Sequence, residues 1–177
     1  MSTDNTSSPP QADSLIASSC SGFMLSAAEL AAIHHEMGHY EDPRAASIEA
    51  LKIVQAARGW VADGAIGAIA TVLGISAADV EGVATFYNMI FRQPVGRHVI
   101  KVCDSIACFL TGQDALKQAI VAQTGIGYGE TTTDGCYTLL PVCCLGNCDK
   151  GPTLMIDDDT HGPVLPEDVP ALLERYR

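Results

Sequence analysis

His98-Val99-Ile100-Lys101-Val102-Cys103-Asp104-Ser105-Ile106-Ala107-Cys108 opens on a β-branched apolar run and closes on a loop bounded by two cysteines. The run from His98 to Val102 predicts a buried strand, with Cys103 at its end. Thr111 to Gln123 then predicts a helix containing Ala115, Leu116, Ala119 and Ile120, and Tyr137 to Val142 is again apolar and strand-like. A right-handed crossover between these strands makes them parallel. Thr153 to Ile156 predicts another strand, its hairpin adding antiparallel edges, and Pro166 with Glu167 and Asp168 opens a C-terminal helix through Leu172 and Leu173. The order strand, helix, strand, strand, helix predicts an α+β sandwich with helices covering the sheet.

Upstream of this unit the period changes to that of helices. Ser26 and Glu29 stand in capping-box register before Leu30, Ile33 and Met37. Asp42-Pro43 pairs a cap with a proline suited to the first helical position, and Ala46, Ala50, Ile53, Val54 and Ala57 follow on one face up to Gly59. A third helix is expected from Asp63, with Ile66, Ile69, Ala70 and Leu73 inward, ending at Gly74. The fourth starts at Ser76 and aligns Val80, Val83, Ala84, Tyr87 and Phe91. Short connections make these antiparallel neighbours, a four-helix region spanning 23–93 that Pro94-Val95-Gly96 separates from the unit at 94–177. Residues 1–22 are rich in Ser, Thr, Asp, Pro and Ala, and are expected to form a disordered tail because they cannot bury enough apolar surface to offset their ordering entropy.

The 177 residues carry 10 Lys and Arg against 21 Asp and Glu, a net charge of −11 that repels phosphate backbones and argues against nucleic-acid binding. The longest apolar stretches, Gly64 to Ile75 and Cys136 to Gly146, are too short for a bilayer span, so no direct membrane insertion is expected. The first basic residue is Arg44, so the N-terminus lacks the pattern of a secretory signal or organelle presequence, and a bacterial cytoplasmic location is expected.

Seven cysteines in a reducing compartment point to metal or redox chemistry rather than to disulfides. Cys103 and Cys108 are spaced Cys-x4-Cys, and Cys144 and Cys148, in Cys-Leu-Gly-Asn-Cys, are spaced Cys-x3-Cys. Loops after two parallel strands emerge at the same end of the sheet, so the two pairs face one crevice. Gly146 and Gly151 permit close backbone approach to the sulfurs. A [2Fe–2S] cluster fits this set, and a structural zinc ion held by four cysteines fits it too, in a zinc-stabilised structural or interaction module. A thioredoxin-type dithiol is disfavoured because no Cys-x-x-Cys is present.

Four segments together carry a resemblance: Val83-Ala84-Thr85-Phe86-Tyr87, Pro94-Val95-Gly96-Arg97, Val102-Cys103 to Cys108, and Leu140-Pro141 through Cys148. Over residues 25 to 177 the chain resembles the E-type subunit family of bacterial NADH:quinone oxidoreductase, respiratory complex I. The resemblance implies a helical N-terminal region followed by a thioredoxin-like [2Fe–2S] ferredoxin domain, with cluster ligands at Cys103, Cys108, Cys144 and Cys148. It implies a one-electron carrier that takes its electron from the FMN of a partner, the F-type NADH-oxidising subunit, among other peripheral-arm subunits. It further implies a peripheral position on the cytoplasmic side of the inner membrane. The diaphorase subunits of soluble NAD-linked hydrogenases and formate dehydrogenases share these motifs and are the nearer alternative. Two departures from many relatives of that family stand out: Cys143 stands where an acidic residue is common, and Asp104-Ser105 where Gly-Thr is common.

Other motifs point to blander roles. His35-Glu36-Met37-Gly38-His39 matches the H-E-x-x-H string of zinc peptidases, but the helix is short and contains Gly38, so these histidines are read as solvated or interface groups. Gly125, Gly127 and Gly129 miss the dinucleotide-binding spacing and are read as a loop. Asp157-Asp158-Asp159 is read as a solvated turn, Cys136 as a strand-start side chain, and Cys20 as part of the tail.

Overall fold

A computed structural model describes residues 22–177. The expected tail and Cys20 lie outside the described residues, apart from Gly22. Helix α1 (Ala27–Met37) begins in the predicted capping box: Ser26 Oγ accepts from the Glu29 amide at 3.2 Å, and the Ser26 amide donates to Glu29 Oε2 at 2.6 Å. The second predicted helix divides into a 3₁₀ turn (Pro43–Ala46) and α2 (Ser47–Arg58). The Asp42 carboxylate takes the Arg44 amide and Ser47 Oγ donates to the Arg44 carbonyl, which tightens this first turn. Within α2, Ala50, Leu51 and Val54 are buried, whereas Ala57 is exposed. Helix α3 (Asp63–Leu73) and α4 (Ala77–Phe86) follow, the first ending at left-handed Gly74 and the second beginning at the Ser76 cap.

Helix α4 is shorter than its apolar pattern predicts, and Tyr87 and Phe91 do not lie on it. The cause is a side chain from another helix. Gln55 Oε1 accepts from the Phe91 amide at 2.6 Å, and Gln55 Nε2 donates to the Met89 carbonyl at 2.8 Å. The Phe91 carbonyl in turn accepts from the Val61 amide at 2.8 Å. Backbone groups that would continue the helix are therefore satisfied elsewhere.

Helices α1 to α4 share one core containing Ile33, Leu51, Val54, Ile69 and Val80. Among the described residues no single helix is long and apolar enough to cross a membrane. A second core lies under the sheet, with Ile100, Val102, Leu116, Ile120, Leu139 and Leu154.

Among the described residues the sheet has four strands, β1 (His98–Cys103), β2 (Tyr137–Val142), β3 (Leu154–Ile156) and β4 (Asp159–His161), in the order β2-β1-β3-β4. Strand β1 pairs in parallel with β2, as the crossover predicts, and antiparallel with β3. The short β4 completes a hairpin with β3. Between Cys103 and the crossover helix α6 (Gln113–Thr124) lies an additional five-residue helix, α5 (Ile106–Leu110), which the sequence pattern does not predict. A 3₁₀ turn (Pro166–Asp168) leads into α7 (Val169–Glu174). Helices α6 and α7 bury Leu116, Ile120, Leu172 and Leu173 against the sheet.

The three aspartates are divided between turn and strand. Asp157, at φ +52°, and Asp158 make the bend, and Asp159 starts β4. The Asp157 carboxylate ties this turn to β1, with Oδ2 at 2.6 Å from His98 Nδ1 and Oδ1 accepting from the Val99 amide at 2.9 Å.

Candidate iron–sulfur site

Strands β1 and β2 are parallel and in register from His98 opposite Tyr137 to Cys103 opposite Val142. Their carboxyl ends therefore deliver both cysteine-bearing loops to one edge of the molecule. Cys103 is the last residue of β1, and its amide is fixed by the Thr153 carbonyl at 3.1 Å. Cys108 sits inside α5 and, like Cys103, is 1% exposed. Cys144 precedes Gly146 in the loop after β2, and Cys148 opens a 3₁₀ turn (Cys148–Lys150). Cys143, Cys144 and Cys148 are exposed.

The four thiols are near enough to affect one another's ionisation: Cys108 and Cys144 respond to Cys103, and Cys148 responds to Cys144, Cys108 and Cys103. Cys144 and Cys148 have their Sγ atoms 3.3 Å apart. Among the described residues no three Cys, His, Asp or Glu side chains gather as around a single ion. The H-E-x-x-H string is included in that statement: α1 ends at Met37, His39 lies beyond it, and His39 Nδ1 is 3.3 Å from Glu36 Oε2.

A backbone amide donates to one of the sulfurs. The Gly146 amide donates to Cys144 Sγ at 3.4 Å, and this bond, supported by Cys148, Ser105 and Cys103, lowers the Cys144 thiol below the ordinary range. Cys148 moves up, chiefly through its hydrogen bond to Cys144 and then through charge on that neighbour. Burial pushes Cys108 up, against the amide and hydroxyl of Thr153, which favour its thiolate. Thr153 Oγ1 itself donates to the Lys150 carbonyl at 3.0 Å, fixing its place in the loop.

The backbone supplies the space. Gly146 holds φ at +80°, the left-handed conformation that turns its amide toward Cys144. A Cβ on Gly151 would stand 2.6 Å from Thr111 Oγ1 and 3.6 Å from Cys108 Sγ, so glycine alone lets this loop lie against the buried thiol. Four neighbouring thiols, an amide donor to sulfur, and a loop free of side-chain bulk fit a polynuclear iron–sulfur centre. Cys136 is set apart from this group, buried immediately before β2 with its Sγ 3.9 Å from the Tyr176 carbonyl. Ser105, already marked by its place between the first two cysteines, is a neighbour of Cys144, whereas Thr153 is a neighbour of Cys108 that the sequence does not reveal, because β3 and the Cys148 turn bring it across the fold.

An iron–sulfur protein of the thioredoxin-like class is what this fold and this donor set define. Residues 33–177 match the thioredoxin-like [2Fe–2S] ferredoxin family, and the chain belongs to it. It is 68% identical over 154 residues to the E subunit of NADH-quinone oxidoreductase from Pseudomonas aeruginosa, covering 87% of this chain and 93% of that protein. It is 67% identical over 155 residues to the protein of the same name from Escherichia coli, covering 88% of this chain and 93% of that one. Among solved structures, an NAD+-reducing [NiFe]-hydrogenase in the air-oxidized state superposes with a TM-score of 0.60 at 23% identity. That match covers 71% of this chain and 22% of the hydrogenase chain, and it speaks to the fold alone.

Proposed function

We propose that this chain is the [2Fe–2S] electron-transfer component of an NADH:quinone oxidoreductase, taking one electron at a time from the FMN of a partner that oxidises NADH. The observation that carries the reading is the group of four thiols on two loops at the carboxyl ends of β1 and β2, with the Gly146 amide donating to the Cys144 sulfur. Cys103, Cys108, Cys144 and Cys148 are the proposed iron ligands. The high identity to E-type subunits of NADH-quinone oxidoreductases supports the quinone-linked complex over the hydrogenase-linked alternative.

When bound, a [2Fe–2S] cluster supplies a one-electron store whose formal charge moves from about −2 to about −3 without bond making or proton transfer. The residues here perform the remaining work. Buried Cys103 and Cys108 anchor one side of the site against the sheet, so little rearrangement accompanies the change in charge. The Gly146 amide and the Ser105 and Thr153 groups stabilise negative charge on sulfur. The exposed Cys144 and Cys148 keep the site near the surface, where a donor has to approach.

Helix α5 marks the side of approach. It points Cys108 inward and leaves Ile106, Phe109 and Leu110 at 72%, 54% and 76% exposure, an apolar face flanked by Asp104 and Asp114. Such a face next to a redox site suits an apolar partner surface with a basic rim. The flavin-bearing partner is the proposed occupant, and the complex is proposed to place this chain on the cytoplasmic side of the inner membrane.

Two substitutions test the ligand set. Cys144→Ser is expected to abolish or strongly perturb the EPR signal of reduced protein, whereas Cys143→Ser is expected to leave iron content and spectrum close to the parent. The opposite result transfers the ligand role to Cys143.

A further inference from the structure

Thr153 stands between the two cysteine loops, and its polar groups reach both. It is 1% exposed. Its carbonyl accepts from the Cys103 amide at 3.1 Å, at the end of β1. Its hydroxyl donates to the Lys150 carbonyl at 3.0 Å, with the Asn147 carbonyl also near at 3.3 Å, and accepts from Asn147 Nδ2 at 3.4 Å. Asn147 precedes and Lys150 ends the 3₁₀ turn that Cys148 opens. Thr153 is also a neighbour of Cys108, and a Cβ on Gly151, in the same segment, would stand 3.6 Å from Cys108 Sγ. The segment after β4 closes over this arrangement: a Cβ on Gly162 would meet the Lys150 carbonyl and would stand 2.8 Å from both Asn147 Nδ2 and Thr153 Oγ1. A hydroxyl so shielded from water holds its partners more firmly than one at the surface.

The parallel register aligns the ends of β1 and β2, but Cys148 lies six residues beyond the end of β2, where strand pairing does not fix it. Thr153 does what the register leaves undone. We propose that Thr153 is a positioning residue of the iron–sulfur site: its carbonyl sets Cys103 and its hydroxyl sets the turn that carries Cys148, so that the spacing of the two ligand loops is fixed at one residue. The inference rests on the [2Fe–2S] reading above, and no bond to iron is assigned to Thr153. Groups that orient ligands without touching the metal govern how firmly it is held. The competing role is closure of the turn as a matter of folding alone. In that case a folded chain without the hydroxyl holds its iron as the parent does.

The test compares the anaerobically purified full chain with Thr153→Val and Thr153→Ser, once circular dichroism has shown each to be folded. Valine keeps the shape of threonine without its hydroxyl, and serine keeps the hydroxyl. The readouts are the rate at which iron passes to an excess of ferrous chelator and the EPR g-values of dithionite-reduced protein. Thr153→Val is expected to release iron about tenfold faster than the parent, with shifted g-values, and Thr153→Ser to follow the parent in both. If Thr153→Val does not fold, Asn147→Ala takes its place, because it removes a donor to the same hydroxyl from a partly exposed position, and its release is expected to be about threefold faster. A folded Thr153→Val, or Asn147→Ala in its place, with the parent's release rate and g-values overturns the positioning role and leaves the [2Fe–2S] reading intact. Thr153→Ser releasing iron as fast as Thr153→Val assigns the effect to packing rather than to the hydroxyl and overturns it too. A parent protein without iron overturns the [2Fe–2S] reading and this proposal with it.

Discussion

Glu29 shows how single residues in this chain couple charge to structure. It is 4% exposed and meets Arg58 through two contacts of 2.6 Å, one from Nε and one from Nη2. Arg58 also donates to the Met24 carbonyl and lies over the Phe23 ring at 4.4 Å, so it is fixed before it meets the carboxylate. The guanidinium pulls the Glu29 pKa down from 4.5 to about 2. A depressed folded-state pKa means stability that is present above about pH 4.5 and is lost as the pH falls toward 2. Glu29→Gln is expected to cost about 2 kcal/mol at pH 7. Urea unfolding should show the gap between variant and parent narrowing steadily below pH 4.5; a gap independent of pH would contradict the assignment. The capping box itself is legible from Ser26 and Glu29. The partner Arg58 is not, because it lies on another helix and no local spacing links the two.

At the scale of elements, α5 and α4 show where pattern reading stops. Helix α5 is five residues long, too short for a helical period to appear, and its middle residue is a cysteine read for its chemistry. Helix α4 ends early because Gln55 reaches from α2 to take up the backbone of residues 89 and 91. Strand β4, Asp159-Thr160-His161, has no apolar alternation and exists because it pairs with β3. The parallel pairing of β1 and β2, by contrast, follows from length and handedness alone, and it places the cysteine loops together. The outward face of α5 carries the prediction at this scale. Phe109→Glu with Leu110→Glu is expected to reduce association with the flavin-bearing partner by about tenfold or more, measured by co-purification at matched salt, with the EPR spectrum of the isolated chain unchanged. Unchanged association would assign the docking side elsewhere.

Across the whole molecule two cores divide the labour. The helical core, around Ile33, Leu51 and Ile69, packs without any cysteine, while the sheet core holds β1 and β2 in the register that aligns their ends. The four thiols are legible from spacing, since close pairs after two strands converge whatever the intervening sequence. Spacing leaves iron and zinc both open. The close approach of Gly146 is legible as well, whereas the nearness of Thr153 to Cys108 becomes visible only with the chain folded. The most direct test of the account is the metal and acid-labile sulfide content of the anaerobically purified chain, read together with EPR after one-electron reduction. The account predicts about two iron and about two sulfide per chain and a signal that appears on reduction. Colourless protein with one zinc per chain, no sulfide and no EPR signal would contradict it.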